Sequence, residues 1–559
     1  MFQILMSRLV TGMYVDVLPK AERIIYLVVE VTCIAYGIIS LYLEGQEYRD
    51  ILSNDSVQSG WTWLGGDLEV NDKEWFVWRN SLPRFFLFII GHVCLSQACS
   101  FLGTHVKMRV LVLALFDLGT IVVSLGICPV LIMSTEILMI YLASCTNSIP
   151  FVWTVAMIII FFQANYYLME LMHQMINIRN YSEIIFPFFG ASGFFYLHLV
   201  SFAIDKIKWK QFKCDEGTST ADPDGVKQCV KGNCKSMTPE MTKQRLGSFP
   251  ETPKFDDVTS PSFMDFVFYA FYLPTFANGP VYTFRQFYEE TQKCFNAQSC
   301  SVSLKDVFRN LIRLMLWKLL LDLVLRNLHL GILKEASIIN ILSFPSVCTL
   351  VYVQGQLFMV KYLCMYGVCG QLSRLDGVTP HPSPRCVSYI YKFTDFWKYF
   401  DVGMYQFIKL YIYLPCLRGR SDLWSKLSSA AVAFLFVYFW HNAFLEIFLW
   451  VLGSYLSTVV EAVAKEMERS AVAVRMKSKM SEAMQLRLRV ILILPMYFFS
   501  VCQISFFFFD FDAGLAFSRR IFVTATWGQL LAVTLVVLAG LHNAVFISRI
   551  RQCSESKRH

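Results

Sequence analysis

Runs of about 20 predominantly apolar residues recur along the whole chain, from Ile24–Leu43 near its start to Val523–Ile547 near its end. A helix needs about 20 such residues to cross roughly 30 Å of hydrocarbon. The runs are continuously apolar and do not alternate, which excludes the strands of a membrane barrel. The sequence therefore reads as an all-α polytopic membrane protein with roughly ten to twelve membrane segments, some of them re-entrant. Charged residues make up 16% of the 559, against about 25% in soluble domains.

Net charge and cysteines add location, not chemistry. The formal charge is +8, but the basic residues gather in loops and form no stripe interleaved with exposed aromatics. That excludes a nucleic-acid partner and reads as membrane topology, since cytoplasmic loops carry excess Lys and Arg. The 17 cysteines are scattered through apolar sequence without zinc spacing, as small hydrophobes. Cys214, Cys229 and Cys234 share one polar loop, where a disulfide requires a luminal location and a cytosolic one keeps them reduced. The first apolar run follows Lys20 and Arg23 with no small-residue cleavage site, as in a signal anchor.

The positive-inside rule puts the N-terminus in the cytosol and residues 44–80, with eight acids against Arg49, Lys73 and Arg79, in the lumen. That loop holds a sequon at Asn54 and four tryptophans, Trp61, Trp63, Trp75 and Trp78, suited to the membrane interface. Pro83 is expected to open a second span. Leu111–Ser144 is long enough for two more, and Phe151–Leu171 and Ile184–Ala203 supply others; a second sequon lies at Asn180. Residues 1–205 thus form an N-terminal set of membrane helices. Residues 206–261 form a polar, probable-loop composition with low hydrophobicity and no periodicity, read as a flexible insert. Residues 262–559 form the C-terminal core of one integrated membrane domain.

The C-terminal part carries the chemistry. Pro274, Gly279 and Pro280 interrupt an aromatic run, and broken backbone at membrane depth is tolerated where protein buries it or where it lines a cavity; the expectation is a re-entrant, cavity-lining segment. Lys318 and Asp322, at i and i+4, share a helical face and read as a structural pair. A bend is expected at Pro345. A proline-rich loop, 377–386, leads to Phe393–Ile447, where Asp401 lies on a short apolar segment ending at Pro415 and His441 lies within a full span. Ionisable groups at membrane depth cost several kcal/mol and mark pathways, relays or sites. Each also has a plain structural reading, as an interfacial ion pair or a helix–helix hydrogen bond. Lys465–Arg489, with seven basic residues against three acids, reads as a cytosolic loop, amphipathic or disordered.

The stretch WKYFDVGMYQFIKLYIYLP, with FWHN following 40 residues after Asp401, resembles the membrane-bound O-acyltransferase family and within it the Hedgehog acyltransferase branch. EWFVW in the first luminal loop and NGPVYTFRQF at the broken helix are similar in the same way. The resemblance implies a helical fold around a tunnel that admits acyl-CoA, palmitoyl-CoA above all, from the cytosol and a secreted signalling protein from the lumen. It implies His441 as the catalytic residue, Asp401 as its support, Trp397 as a tunnel-closing aromatic, and Tyr413, Trp440 and Asn442 as substrate-binding residues. It places a haem-ligating cysteine at Cys386, for which a free or acylated loop cysteine is the alternative. The family usually has glycine where this chain has Asn442, an amide able to reorient the imidazole or narrow the acceptor site.

The implied reaction is N-palmitoylation of an N-terminal cysteine on a Hedgehog-like protein, in the endoplasmic reticulum or the Golgi. The alternatives are O-acylation of a serine in a Wnt-like protein or of a lipid, and a non-catalytic acyl-CoA-binding regulator. A transporter would show internal repeats with matching broken helices, and no second copy of the Asp401 or His441 stretch is present.

Overall fold

Backbone amides and carbonyls in hydrocarbon have no water to pair with, so a chain this apolar satisfies them within helices. The computed structural model describes residues 17–49, 57–59, 67–69, 72–164, 181–219, 261–296 and 302–555. Among these, nine helices are long and apolar enough to cross a bilayer, and a shorter apolar one covers Ile149–Phe162. A small antiparallel pair, β1 (Val57–Ser59) and β2 (Asp67–Glu69), is the single departure from helix among the described elements.

The N-terminal helices are α1 (Lys20–Glu47), α2 (Lys73–Phe101), α3 (Val106–Leu125), α4 (Ile127–Cys145), α5 (Ile149–Ala164) and α6 (Tyr181–Ser219). Asp72 caps α2 by accepting from Trp75 N at 3.0 Å, so the helix begins ten residues ahead of Pro83 and carries that proline inside it. Pro83 therefore does not open the span. EWFVW belongs to this helix, and Trp75 and Trp78 are 2% and 4% exposed, so they pack in the core and not at the membrane interface. α6 continues to Ser219, past the 205/206 boundary read from composition. Asn54, Trp61, Trp63, Asn180, Cys229 and Cys234 lie outside the described residues.

The broken segment folds as α7 (Phe263–Ala270), α8 (Leu273–Phe276) and α9 (Phe284–Asn296). Most of its aromatic side chains, including Phe266, Tyr269, Tyr272 and Tyr282, are buried; Phe263 at its start is exposed. None of residues 263–290 lines the cavity described below, so protein buries this break and the expected cavity lining is not found there. Then come α10 (Leu304–Leu328), the short α11 (Leu330–Leu333) and α12 (Ala336–Ile339), and α13 (Phe344–Ser373). Pro345 sits in the first turn of α13, where its missing N–H has no helical partner to lose; the chain starts a helix there and does not bend within one. Lys318 Nζ meets Asp322 Oδ2 at 2.6 Å, and Trp75 Nε1 donates to Asp322 Oδ1 at 3.1 Å.

The remaining elements are α14 (Phe393–Phe400), α15 (Val402–Ile408), a π-helical turn (Lys409–Tyr413), α16 (Leu414–Leu417), α17 (Leu423–Trp440), α18 (Leu445–Glu468), α19 (Ala471–Ser478), α20 (Glu482–Phe508), α21 (Phe511–Phe522) and α22 (Trp527–Glu555). The basic stretch 465–489 is thus helical, formed by the end of α18, α19 and the start of α20. α13 packs on α10 and α1, α18 on α20, and α1 on α22. Outward side chains such as Leu87, Val123 and Leu492 are exposed, as expected of a surface facing lipid.

A buried ionic cluster joins the N-terminal helices to the centre. His92 Nδ1 lies 2.6 Å from Asp117 Oδ1, and its Nε2 lies 2.8 Å from Asp376 Oδ2. Asp376 also accepts from Ser96 at 2.6 Å and Tyr272 at 2.8 Å. Breaking a buried ionic group by removing one partner costs roughly 3–5 kcal/mol, because the others stay buried and uncompensated. His92→Leu is therefore expected to lower the thermal midpoint of the detergent-purified protein strongly, whereas Arg475→Ala on the exposed face of α19 leaves it unchanged.

Candidate active site

Two helix breaks bring the site together. The first falls at Asp401, whose extended backbone (φ −122°, ψ 95°) ends α14 and starts α15. Its Oδ1 accepts from Met404 N at 2.9 Å, capping α15, and its Oδ2 accepts from Tyr366 Oη at 2.8 Å. A helix N-terminus favours negative charge, so the sequence places an acid where the backbone welcomes it. The broken segment braces this point from behind. A β-carbon on Gly403 would collide with the carbonyl oxygen of Val281, and the same oxygen lies 2.9 Å from His381 Nε2.

The second break falls at His441, which caps the C-terminus of α17. It does not sit inside a continuous span: Asn442 and Ala443 take left-handed backbone, φ 67° and 54°, and α18 begins at Leu445. Tyr438 Oη donates to Ala443 O at 2.7 Å and closes the turn. The His441 ring is held by three edge-on aromatics: Trp440 at 4.7 Å, Trp450 at 5.3 Å and Phe507 at 5.7 Å between centroids. Among the described residues no side chain hydrogen-bonds its ring nitrogens. An imidazole fixed by packing with nitrogens uncommitted is suited to accept a substrate proton.

Asp401, His441, Trp397, Trp440, Asn442 and Tyr413 all line one cavity of about 1490 Å³. Drug-sized ligands occupy roughly 300–1,000 Å³, so this space accommodates a longer molecule. Trp397 stacks on Trp450 at 5.5 Å and meets Phe434 edge-on at 5.2 Å; its buried Nε1 has no hydrogen-bond partner among the described residues. Trp440 Nε1 donates to Gly193 O at 3.3 Å. Lys398, Lys409, Lys426, Lys465 and Arg469 also line the cavity. Lys426 precedes His441 by 15 residues on α17, a separation of about 22 Å at 1.5 Å per residue. The cavity thus joins a cationic end to the histidine.

Cys386 does not itself line the cavity, although Val387 and Ser388 do; its Sγ lies 3.9 Å from Gln356 Oε1. Sequence reasoning missed Tyr362 and Tyr366 on α13, both of which line the cavity with Glu74. The signal was present as an i, i+4 tyrosine pair in KYLCMY. Among the described residues no group of three or more His, Cys, Asp or Glu is arranged to hold a metal ion.

Residues 138–509 match the family model for the membrane-bound O-acyltransferase family. The chain is similar to protein-cysteine N-palmitoyltransferase HHAT of Mus musculus, 36% identical over 195 residues, which are 35% of this chain and 39% of that protein. It is similar to protein-cysteine N-palmitoyltransferase Rasp of Drosophila melanogaster, 27% identical over 214 residues, 38% of this chain and 42% of that one. A third relative, the protein-cysteine N-palmitoyltransferase HHAT-like protein of Mus musculus, is 21% identical over 452 residues, 78% of this chain and 76% of its own length. The matches to the first two therefore span about two fifths of those proteins.

The backbone at residue 442 makes a testable demand. Asparagine tolerates the left-handed region through its short polar side chain, whereas a β-carbon there ordinarily costs about 1–2 kcal/mol. Asn442→Gly should keep the thermal midpoint, and Asn442→Val should lower it, with a stability loss of about 1–2 kcal/mol, measured by thermal unfolding in detergent.

Proposed function

The chain belongs to the membrane-bound O-acyltransferase family, and on that premise we propose that it moves a long-chain acyl group, palmitoyl, from CoA to the N-terminal cysteine amine of a secreted Hedgehog-like protein. The observation that carries this reading is the convergence of Asp401 and an uncommitted His441 on one large, predominantly apolar cavity. The cationic end suits the phosphates of CoA and, by its excess of Lys and Arg, the cytosolic side. The opposite end, with Glu74 near the start of α2, faces the lumen.

In the reaction the acceptor nitrogen attacks the thioester carbonyl carbon. The N–C bond forms, the C–S bond breaks, and CoA leaves as a thiolate that takes up a proton. His441 accepts the proton that the amine loses. Asp401, fixed by the first turn of α15 and by Tyr366, orients the acceptor amine or offsets charge on the imidazole. Trp397, clamped between Trp450 and Phe434, separates the acyl-CoA and acceptor ends. The endoplasmic reticulum membrane, where such an acceptor meets cytosolic acyl-CoA, is the proposed location, with the Golgi as the other compartment that satisfies both.

A haem on Cys386 belongs to the same proposal. The cysteine leads directly into Val387 and Ser388 on the cavity wall, and a thiolate can ligate haem iron. When bound, the group would supply redox chemistry that the transfer does not require. A Soret absorbance in the purified protein, lost in Cys386→Ala, is the expected outcome.

The central test supplies alkyne-tagged palmitoyl-CoA and a peptide with a free N-terminal cysteine to the purified protein. His441→Ala should reduce transfer at least about 100-fold, within the range typical of general acid–base groups. Asp401→Asn should also lower it. Undiminished transfer by His441→Ala would sink the mechanism. Peptides offering a serine hydroxyl and a lipid acceptor run in parallel would reveal O-acylation instead.

A further inference from the structure

Tyr366 enters the reaction only through Asp401, to which it supplies the side-chain donor. Its hydroxyl reaches Asp401 Oδ2 at 2.8 Å from α13, a separate helix. The ring is wedged between Tyr362, 5.0 Å away at 73°, and Phe194, 6.4 Å away at 88°. A β-carbon on Gly279 would come within 3.3 Å of it, so the broken segment closes the third side. The hydroxyl therefore has little freedom to point elsewhere.

Behind this tyrosine the same helix is tied down by charge. Lys361 Nζ lies 3.0 Å from Asp72 Oδ2 and 2.8 Å from Glu74 Oε2. Tyr362 Oη donates to Glu74 Oε1 at 3.1 Å. Lys361 is nearly fully buried, 6% exposed, so the clamp sits at fixed depth. A one-turn step along α13, from Tyr362 to Tyr366, carries that fixed position to Asp401.

We propose that Tyr366 is a positioning residue for acyl transfer, holding Oδ2 of Asp401 so that the carboxylate presents one orientation to the cavity, with the Glu74–Lys361–Tyr362 clamp setting the height of the tyrosine. Capping by Met404 N alone fixes one oxygen and leaves rotation about it. The hydroxyl from α13 supplies the second point. The proposal rests on the acyl-transfer reading for its rate consequences, but the hydrogen bond can be tested without them.

The experiment uses the full-length purified protein and its Tyr366→Phe, Asp401→Asn and double variants. Tyr366→Phe keeps the ring packing and removes the hydroxyl. Infrared difference spectra against Asp401→Asn isolate the Asp401 carboxylate band, which should shift in Tyr366→Phe. For palmitoyl-CoA and the cysteine peptide, kcat should fall roughly 10- to 100-fold, the value of a hydrogen bond to a charged group, with KM for palmitoyl-CoA unchanged. In the Asp401→Asn background the same change should cost less than about threefold, because a residue acting through another is non-additive with it. An unmoved carboxylate band, or equal losses in both backgrounds, overturns the proposal. Absence of transfer by the unaltered protein to any acceptor would overturn the acyl-transfer reading instead, and the carboxylate band alone would then decide the role of Tyr366.

Discussion

Hydrocarbon gives a helix no water with which to repair a break, so every interruption at membrane depth must bring its own hydrogen-bond partners. The partners are visible at each break in this chain. Asp401 Oδ1 takes the N–H of Met404, and Tyr438 Oη takes the carbonyl of Ala443 beyond His441. In the broken segment, Tyr269 Oη donates to Tyr282 O at 2.6 Å and Phe284 N donates to Ser201 Oγ at 2.7 Å. Breaks are costly enough to be few, and they are where side chains can leave the helix surface and meet in a cavity.

The same constraint explains why the polar clusters are so complete. His92 bridges two carboxylates, one on α3 and one just beyond α13, and Lys361 bridges Asp72 and Glu74 ahead of and within α2. Both clusters end on α13 or on the turn after it, and α13 is the helix that presents Tyr362 and Tyr366 to the cavity. Charge pairing in the N-terminal half thus fixes a helix of the C-terminal half. A carboxylate 40 residues from its histidine in sequence can hold a defined position only if the helices around it cannot slide.

Much of this was legible in the sequence because hydrophobic length is a strong signal. The spans at Ile24–Leu43, Leu111–Ser144 and Val490–Phe508 correspond to α1, α3 with α4, and α20. Proline was the misleading signal. Pro83 lies inside α2, and Pro345 starts α13, because a proline in a first turn or a tolerated interior position looks the same in sequence as one that breaks a helix. The end of α17 at His441 was illegible for a different reason: FWHNAFLEI holds neither glycine nor proline to mark a turn, and the turn depends on two left-handed residues, Asn442 and Ala443. Asp401, His441, Trp397, Trp440, Asn442 and Tyr413 were nameable from their motifs, whereas the tie of Tyr366 to Asp401 was not, since the two lie 35 residues apart on different helices.

The two central residues are held in opposite ways, and that difference suits them to the different parts proposed for them. Both oxygens of Asp401 are engaged, one by backbone and one by a phenol, so its geometry is set before any substrate arrives. His441 is held by aromatic edges, with its nitrogens left to the cavity. In a Ser-His-Asp triad a carboxylate fixes the histidine tautomer by hydrogen-bonding one ring nitrogen; here packing fixes the ring plane, and under the proposed acyl transfer the incoming acceptor would select the nitrogen. Asn442 bears on this through its backbone: the left-handed turn sets the direction of the imidazole, and an asparagine tolerates that turn. Under the proposed acyl transfer, the residue beside the histidine would govern the direction of the base, and the carboxylate on the cavity wall would govern where the acceptor must stand to meet it.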